Sequence, residues 1–248
     1  MKKILSLVAL LLIFALCFTS CDMLEEFGIS IDLSVIEDLL FGEAKPNIPS
    51  VSLDEIPEFT GTPYVIINDN MPFFTEDEIV NESYETYYDM DGLGRCTVVI
   101  ACIGKDLMPE EGEERGSIGS VKPSGWQTLK FDIVDGKYLY NRCHLIGWQL
   151  TAENANRNNL ITGTRYMNVD GMLPFENMVA DYIKDTNNHV MYRVTPIYDG
   201  DNLVARGVLM EAISVEDSGD GICFCVYVYN NQPGIEINYA TGEAVLIK

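Results

Sequence analysis

The sequence predicts an α+β fold, on three observations. Several β-branched or alternating runs have the length of strands, with Gly- and Asn-rich loops between them. A single stretch has helical spacing. That helix falls in the middle of the strands instead of alternating with them, which argues against an α/β architecture. The 248 residues, 47% hydrophobic and 22% charged, suffice for a real core and exclude wholesale disorder.

The first element is an address. Residues 1–20 carry Lys2 and Lys3, an apolar run from Ile4 to Phe18, then the small residues Thr19 and Ser20. The run is short for a membrane span and reads as a secretory signal. Cys21 after small residues, followed by Asp22, resembles the bacterial lipoprotein cleavage box, although Phe18 stands where Leu is usual. This implies a lipid on Cys21 and an extracytoplasmic protein anchored to the bacterial cell membrane. An ordinary cleaved signal is the plainer alternative. Residues 21–60 are acidic, contain Pro46, Pro49 and Pro57, and show one short amphipathic stretch, IDLSVIEDLLFG. They read as a tether.

Residues 61–248 have a globular texture. Arg95–Ile103 (RCTVVIACI) predicts a central strand. The polar segment Glu110–Gly125, with Gly112, Gly116, Gly119 and Pro123, predicts a long loop. Lys137–Ile146 alternates and predicts a strand running into a loop. Thr151–Asn159, with four Asn, continues that loop. In Leu173–Thr186, Phe175, Met178, Val179, Tyr182 and Ile183 recur at helical spacing, and Pro174 suits a first turn. Further strands are predicted over His189–Ile197, Leu203–Val215 and Ile222–Tyr229.

The chain has 16 Lys+Arg against 38 Asp+Glu, a net charge of −22. Bulk electrostatic binding of nucleic acid is excluded, so a polyanion has to be handled at a local site with a bound cation. Setting aside Cys17 in the signal and Cys21, five cysteines remain: Cys96, Cys102, Cys143, Cys223 and Cys225. Their number is odd and their spacing is unlike a zinc site. Cys223 and Cys225 share one face of a strand and read as core; disulfides stay open.

Only two histidines exist. His189 heads an apolar strand and reads as structural. His144, in NRCHLI, lies between an alternating strand and the Asn-rich loop. Alone it would read as structural too. Its surroundings change the weighting: Asn159 of NLITGT follows fifteen residues on, Asn168 nine later, and Glu176 eight further, on the helix. This ordered set resembles the DNA/RNA non-specific endonucleases of the ββα-metal fold, in texture the bacterial nucleases of DNA uptake, which are membrane-anchored and extracellular. The resemblance covers roughly residues 61–240, including the loop GSIGSVKPSGW. Each motif is weak, but the four in order are specific.

The resemblance implies a central, mostly antiparallel sheet with a helix-bearing active-site motif. It also implies a sugar-non-specific endonuclease that hydrolyses DNA and RNA to 5′-phosphate ends with Mg²⁺, Mn²⁺ substituting. His144 then matches the general base, and Asn168 the single protein ligand of a hydrated Mg²⁺. Glu176 matches the acid that holds the metal's waters, and Asn159 the support of the active-site loop. Arg142 matches the Arg of the family's DRGH motif. Arg115, in ERGSIG, is the candidate for the phosphate-contacting Arg. Two positions depart: Asn141 replaces Asp and loses a negative charge, and Cys143 replaces Gly, which enters positive-φ space more easily. The chemistry is coherent in itself. An imidazole can take a proton from water, Mg²⁺ needs few protein ligands, and an Arg fork suits phosphate. Contacts to the backbone alone would leave base sequence unread.

Plainer roles compete. Asn159 and Asn168 suit turns, and Glu176 could lie at the solvated edge of its helix. Arg115 could pair with Glu113 or Glu114, and Arg165 rivals it as a phosphate contact. Trp126 and Trp148 could pack in a core or stack on bases. Charge segregation favours the nuclease. Residues 115–165 hold seven basic groups (Arg115, Lys122, Lys130, Lys137, Arg142, Arg157, Arg165) against the three acids Asp132, Asp135 and Glu153. The protein is expected to be a monomer, and two other classes remain: a weakened nuclease fold serving as a surface nucleic-acid-binding lipoprotein, and a structural envelope lipoprotein.

Overall fold

The computed structural model describes residues 48–49 and 51–247. The signal, Cys21 and the tether up to residue 47 lie outside the described residues. The chain divides into two units, and the second, Ile48–Lys248, carries every element that follows. Its strands are β1 (Tyr64–Ile66), β2 (Tyr84–Tyr87), β3 (Val99–Ile103), β4 (Tyr140–His144), β5 (Leu160–Thr164), β6 (Val190–Ile197), β7 (Gly207–Ser214), β8 (Cys223–Tyr229), β9 (Ile235–Ile237) and β10 (Ala244–Leu246). The helices are α1 (Trp148–Thr151) and α2 (Leu173–Thr186), the second entered through a π-helical stretch, Met167–Met172.

The central sheet runs β1-β8-β7-β6-β3-β2, and every pairing is antiparallel. Strand alternation decides its faces. Val190, Tyr192 and Val194 of β6 share one face with Val208 and Met210 of β7 and with Phe224 and Val226 of β8. Onto that face pack the β4–β5 ribbon, through Cys143 and Ile161, and α2, through Phe175, Val179, Ala180 and Ile183. The opposite face carries Ile100, Cys102 and Met191 beneath Phe74 and Ile79. There the buried Arg193 pairs with Glu211 at 2.8 Å, Glu211 accepts the Phe73 N–H at 2.8 Å, and Arg193 reaches Glu78 at 3.1 Å. Removing one partner of such a pair costs roughly 3–5 kcal/mol, so this clamp holds the 73–79 segment down.

The helix predicted at Leu173–Thr186 forms over those residues, ending on Asn187 in left-handed backbone (φ 60°). The predicted strands form but are trimmed: Arg95–Val98 and Leu203–Arg206 lie outside β3 and β7. Leu160–Thr164, read only as a motif, is strand β5. The short β1, β2, β9 and β10 carry too few residues to show a period of two. Residues at the expected end of the tether pack on the domain. The Tyr229 hydroxyl donates to the Pro57 carbonyl at 2.6 Å, and the Phe59 ring meets Tyr229 edge-on at 5.5 Å.

The conflict expected at Cys143 does not arise. Cys143 lies within β4 and is absent from the positive-φ positions. Its fully buried side chain fills space left by Gly163 of β5, where an added Cβ would sit 2.4 Å from the Cys143 sulfur. All five described cysteines are free thiols.

Candidate active site

The strand β4 delivers His144, 6% exposed, to the floor of a cleft. Its Nε2 lies 2.7 Å from the backbone carbonyl of Asn154. A carbonyl only accepts, so Nε2 carries the hydrogen and Nδ1 presents a lone pair. Arg115 Nη2 donates to that lone pair at 2.9 Å. Burial, chiefly, and the Arg115 charge push the imidazole pKa down to about 4, with the Asn154 bond opposing. At neutral pH the ring is therefore uncharged, as a base must be.

Asn159 is fully buried and does not line the cleft. Its Oδ1 accepts the Ile146 N–H at 2.8 Å, its Nδ2 donates to the Ile146 carbonyl at 3.0 Å, and its own carbonyl accepts the Leu145 N–H at 2.8 Å. These bonds clip the two residues after His144 to the end of β5. That is a positioning geometry, with no reach to a reacting atom.

Glu176 lies within the buried stripe of α2, in line with Val179, Ala180 and Ile183, rather than at a solvated edge. Its carboxylate meets Gly147, whose N–H bonds it; a Cβ there would lie 2.7 Å from the carboxylate. Only glycine admits so close an approach. Burial pushes the Glu176 pKa up to about 7, against the Arg115 charge and the Gly147 N–H. Asn168, on the π-helical turn, lines the same cleft, and its side-chain amide has no protein partner among the described residues. Such wide turns recur at functional sites. Here Gly171, pressed to within 2.4 Å of the Val228 side chain for an added Cβ, seats the turn on β8.

The cleft encloses about 840 Å³ and brings together His144, Arg115, Asn168 and Glu176. Arg142 lines it as well, but two of its five donors are committed: Nη2 bonds the Gly119 carbonyl at 2.9 Å, Nε bonds the Val121 carbonyl, and the guanidinium stacks 4.0 Å over Trp126. Arg142 thus clamps the Gly-rich loop rather than offering a free fork. Arg165 is paired with Asp135 at 2.8 Å. Trp126 and Trp148 both line the cleft. His189 lies elsewhere, its Nδ1 bonded to Glu216 at 2.6 Å. Asn154 and Gly147 were not foreseen as site residues. The first acts through its main chain, which leaves no mark on the sequence, and the second through the side chain it lacks.

Among the described residues no three His, Cys, Asp or Glu groups gather as metal ligands. The available donors are one unpartnered amide oxygen and one buried carboxylate. A few hard oxygens fit an Mg²⁺ that keeps most of its water, and they do not make the closed nitrogen–sulfur set of a structural zinc site.

A family model described as DNA/RNA non-specific endonuclease matches residues 75–216, more than half of the sequence. The chain belongs to this family. A deoxyribonuclease of Streptococcus dysgalactiae subsp. equisimilis is 28% identical over 209 residues, which cover 68% of this chain and 62% of that protein. The chain thus spans less than two thirds of that relative's length. The crystal structure of NucA from Streptococcus agalactiae with magnesium bound superposes with a TM-score of 0.65 at 24% identity, over 75% of this chain and 87% of that one. The Sda1 nuclease with bound zinc gives 0.62 at 27% identity, over 75% and 97%. The α+β, ββα-metal fold expected of the non-specific endonucleases is the fold found. Strands β4 and β5 with helix α2 form the ββα element, and the His144, Asn159, Asn168 and Glu176 motif lies along it.

Proposed function

We propose that this chain is an exported, Mg²⁺-dependent non-specific endonuclease that hydrolyses DNA and RNA to 5′-phosphate ends, anchored to the membrane through a lipid on Cys21. The observation that carries the activity is the convergence on one cleft of the His144 Nδ1 lone pair, the Asn168 amide and the Glu176 carboxylate.

The residues divide the work as follows. A substrate phosphate competes for the Arg115 guanidinium and draws it off His144. Nδ1 is then free to take a proton from the attacking water. The anionic phosphate and the departed Arg115 both raise its basicity from the low value set in their absence. The Nε2–H bond to the Asn154 carbonyl holds the ring through that transfer, and Asn159 holds the turn behind it. Asn168 directly, and Glu176 through water, would hold a hydrated Mg²⁺, which when bound supplies charge neutralisation at the non-bridging phosphate oxygens. Each of these groups addresses the sugar–phosphate backbone, so base specificity is low.

Plasmid cleavage with Mg²⁺ tests the reading. His144→Ala should lose about 10²–10⁴-fold in rate, the worth of a general base; equal activity in both proteins would refute it. A second reading, a weakened fold that binds nucleic acid at the cell surface, draws on Asn141. Its Nδ2 is buried without a partner among the described residues, where the family motif has Asp. That reading expects DNA retention without nicking, and cleavage gained in Asn141→Asp would mark an attenuated enzyme instead.

A further inference from the structure

Beside the cleft lies a shallower depression of about 470 Å³, lined by Ser120, Val121, Lys122, Ala155 and Arg157. Lys122 and Arg157 are both exposed, and neither side chain has an ion pair or hydrogen bond among the described residues. The other cations of the 115–165 segment are engaged. Lys137 pairs with Asp132 and Arg165 with Asp135, Arg142 holds loop carbonyls, Arg115 caps His144, and Lys130 sits 4.5 Å over the Tyr138 ring. The segment's third acid, Glu153, turns to the Asn154 N–H. In a protein of net charge −22, these two cations line one depression with no acidic residue in its lining. They repel each other until an anion joins them.

The walls of the depression are tied to His144 on both sides. The Gly119–Val121 backbone is held by Arg142, two residues before His144 on β4. The opposite wall starts at Asn154, whose carbonyl accepts from His144 Nε2. It continues through Asn156, whose side chain caps the Asn158 N–H at 2.9 Å, to the Arg157 carbonyl, which accepts from the Cys96 thiol at 3.2 Å. The backbone that carries both cations is therefore tied to the strand and loop that hold the imidazole.

We propose that Lys122 and Arg157 form a second backbone-phosphate subsite, which binds the nucleic-acid strand at a phosphate away from the scissile one. This rests on the nuclease reading above. The site offers an ammonium, a guanidinium and the Ser120 hydroxyl, with no aromatic ring to stack a base, so it takes phosphate and reads no sequence.

The test compares the full-length protein with Lys122→Gln/Arg157→Gln and with the charge-keeping Lys122→Arg/Arg157→Lys. Two readouts are used: Mg²⁺-dependent cleavage of a single-stranded 20-mer, and binding of the same oligonucleotide, fluorescently labelled, in EDTA over a salt series. The neutral variant should raise KM and Kd about tenfold, with a smaller change in kcat, and lower the log–log salt slope by about 1.4, the value for two lost single-strand phosphate contacts. A nitrophenyl ester with one phosphodiester cannot reach both sites and should lose far less. The charge-keeping variant should bind within about threefold of the parent, since counterion release counts charges. Unaltered Kd and salt slope in the neutral variant, or an equal loss in the charge-keeping one, would overturn the subsite. Weakened binding in the neutral variant, with no turnover by any protein, would support the subsite and sink the enzyme reading, so the two failures are distinct.

Discussion

Arg115 donates to the His144 Nδ1 lone pair, a contact that the proposed mechanism has to break before that lone pair can receive a proton. Arg115→Ala should raise the His144 pKa above about 4 by removing a neighbouring positive charge, read by NMR titration of the ring. It should still lower kcat/KM by about 10–100-fold, the worth of a charged hydrogen bond to phosphate. A histidine pKa that stays put would show that burial alone sets it. Glu176 titrates in the opposite sense. Its folded pKa, about 7, lies above its ordinary value of 4.5, so its contribution to stability is complete below 4.5 and is lost as pH rises through 7. His144 contributes stability above 6.5 and loses it as pH falls towards 4. In EDTA, Glu176→Gln should therefore melt a few degrees above the parent at pH 8, by about 1–3 kcal/mol, and match it near pH 4. Below saturating Mg²⁺, parent kcat/KM should fall as pH drops through about 7, with more Mg²⁺ moving the midpoint down; a midpoint near 4 at every Mg²⁺ level would assign that limb to His144 instead.

At the scale of elements, the β4–β5 ribbon replaces an expected Gly with Cys143 by leaving room at Gly163. Gly163→Ala should destabilise the parent by roughly 1–3 kcal/mol, as overpacking does. In a Cys143→Ala background, where the colliding sulfur is gone, the same change should cost measurably less. Additive costs in chemical denaturation would show that the two sites are uncoupled. The helix was legible because five apolar residues recurred at helical spacing, although Met178 among them is 48% exposed and Ala180 takes its place in the buried face. Glu176 lies within that face, where period alone, which would place a charged residue at its solvated edge, left its position open; the nearby Arg115 and the Gly147 N–H accompany it there. The π-helical turn that presents Asn168 left no periodic signal of its own, because six residues are too few to separate one helical pitch from another.

Over the whole molecule, the acidity and the nuclease family are reconciled by segregation, with an excess of basic groups in residues 115–165, of which Arg115, Arg142 and Arg165 line the cleft. The described domain is held without covalent cross-links, its buried cysteines serving as core. Dithiothreitol should therefore leave both Tm and cleavage rate unaltered; a fall of several degrees would reveal a disulfide. Sequence by itself determined the α+β class, the strand at Tyr140–His144 and the helix over Leu173–Thr186, since these depend on local period, while the ordered set His144, Asn159, Asn168 and Glu176 was legible only through the family resemblance. Tertiary structure alone decided the tautomer of His144, the high pKa of Glu176, the commitment of Arg142 to the loop and the freedom of Lys122 and Arg157. Each of these depends on which distant backbone groups and charges come within a few ångströms, and hydrogen bonding and desolvation act only at that range.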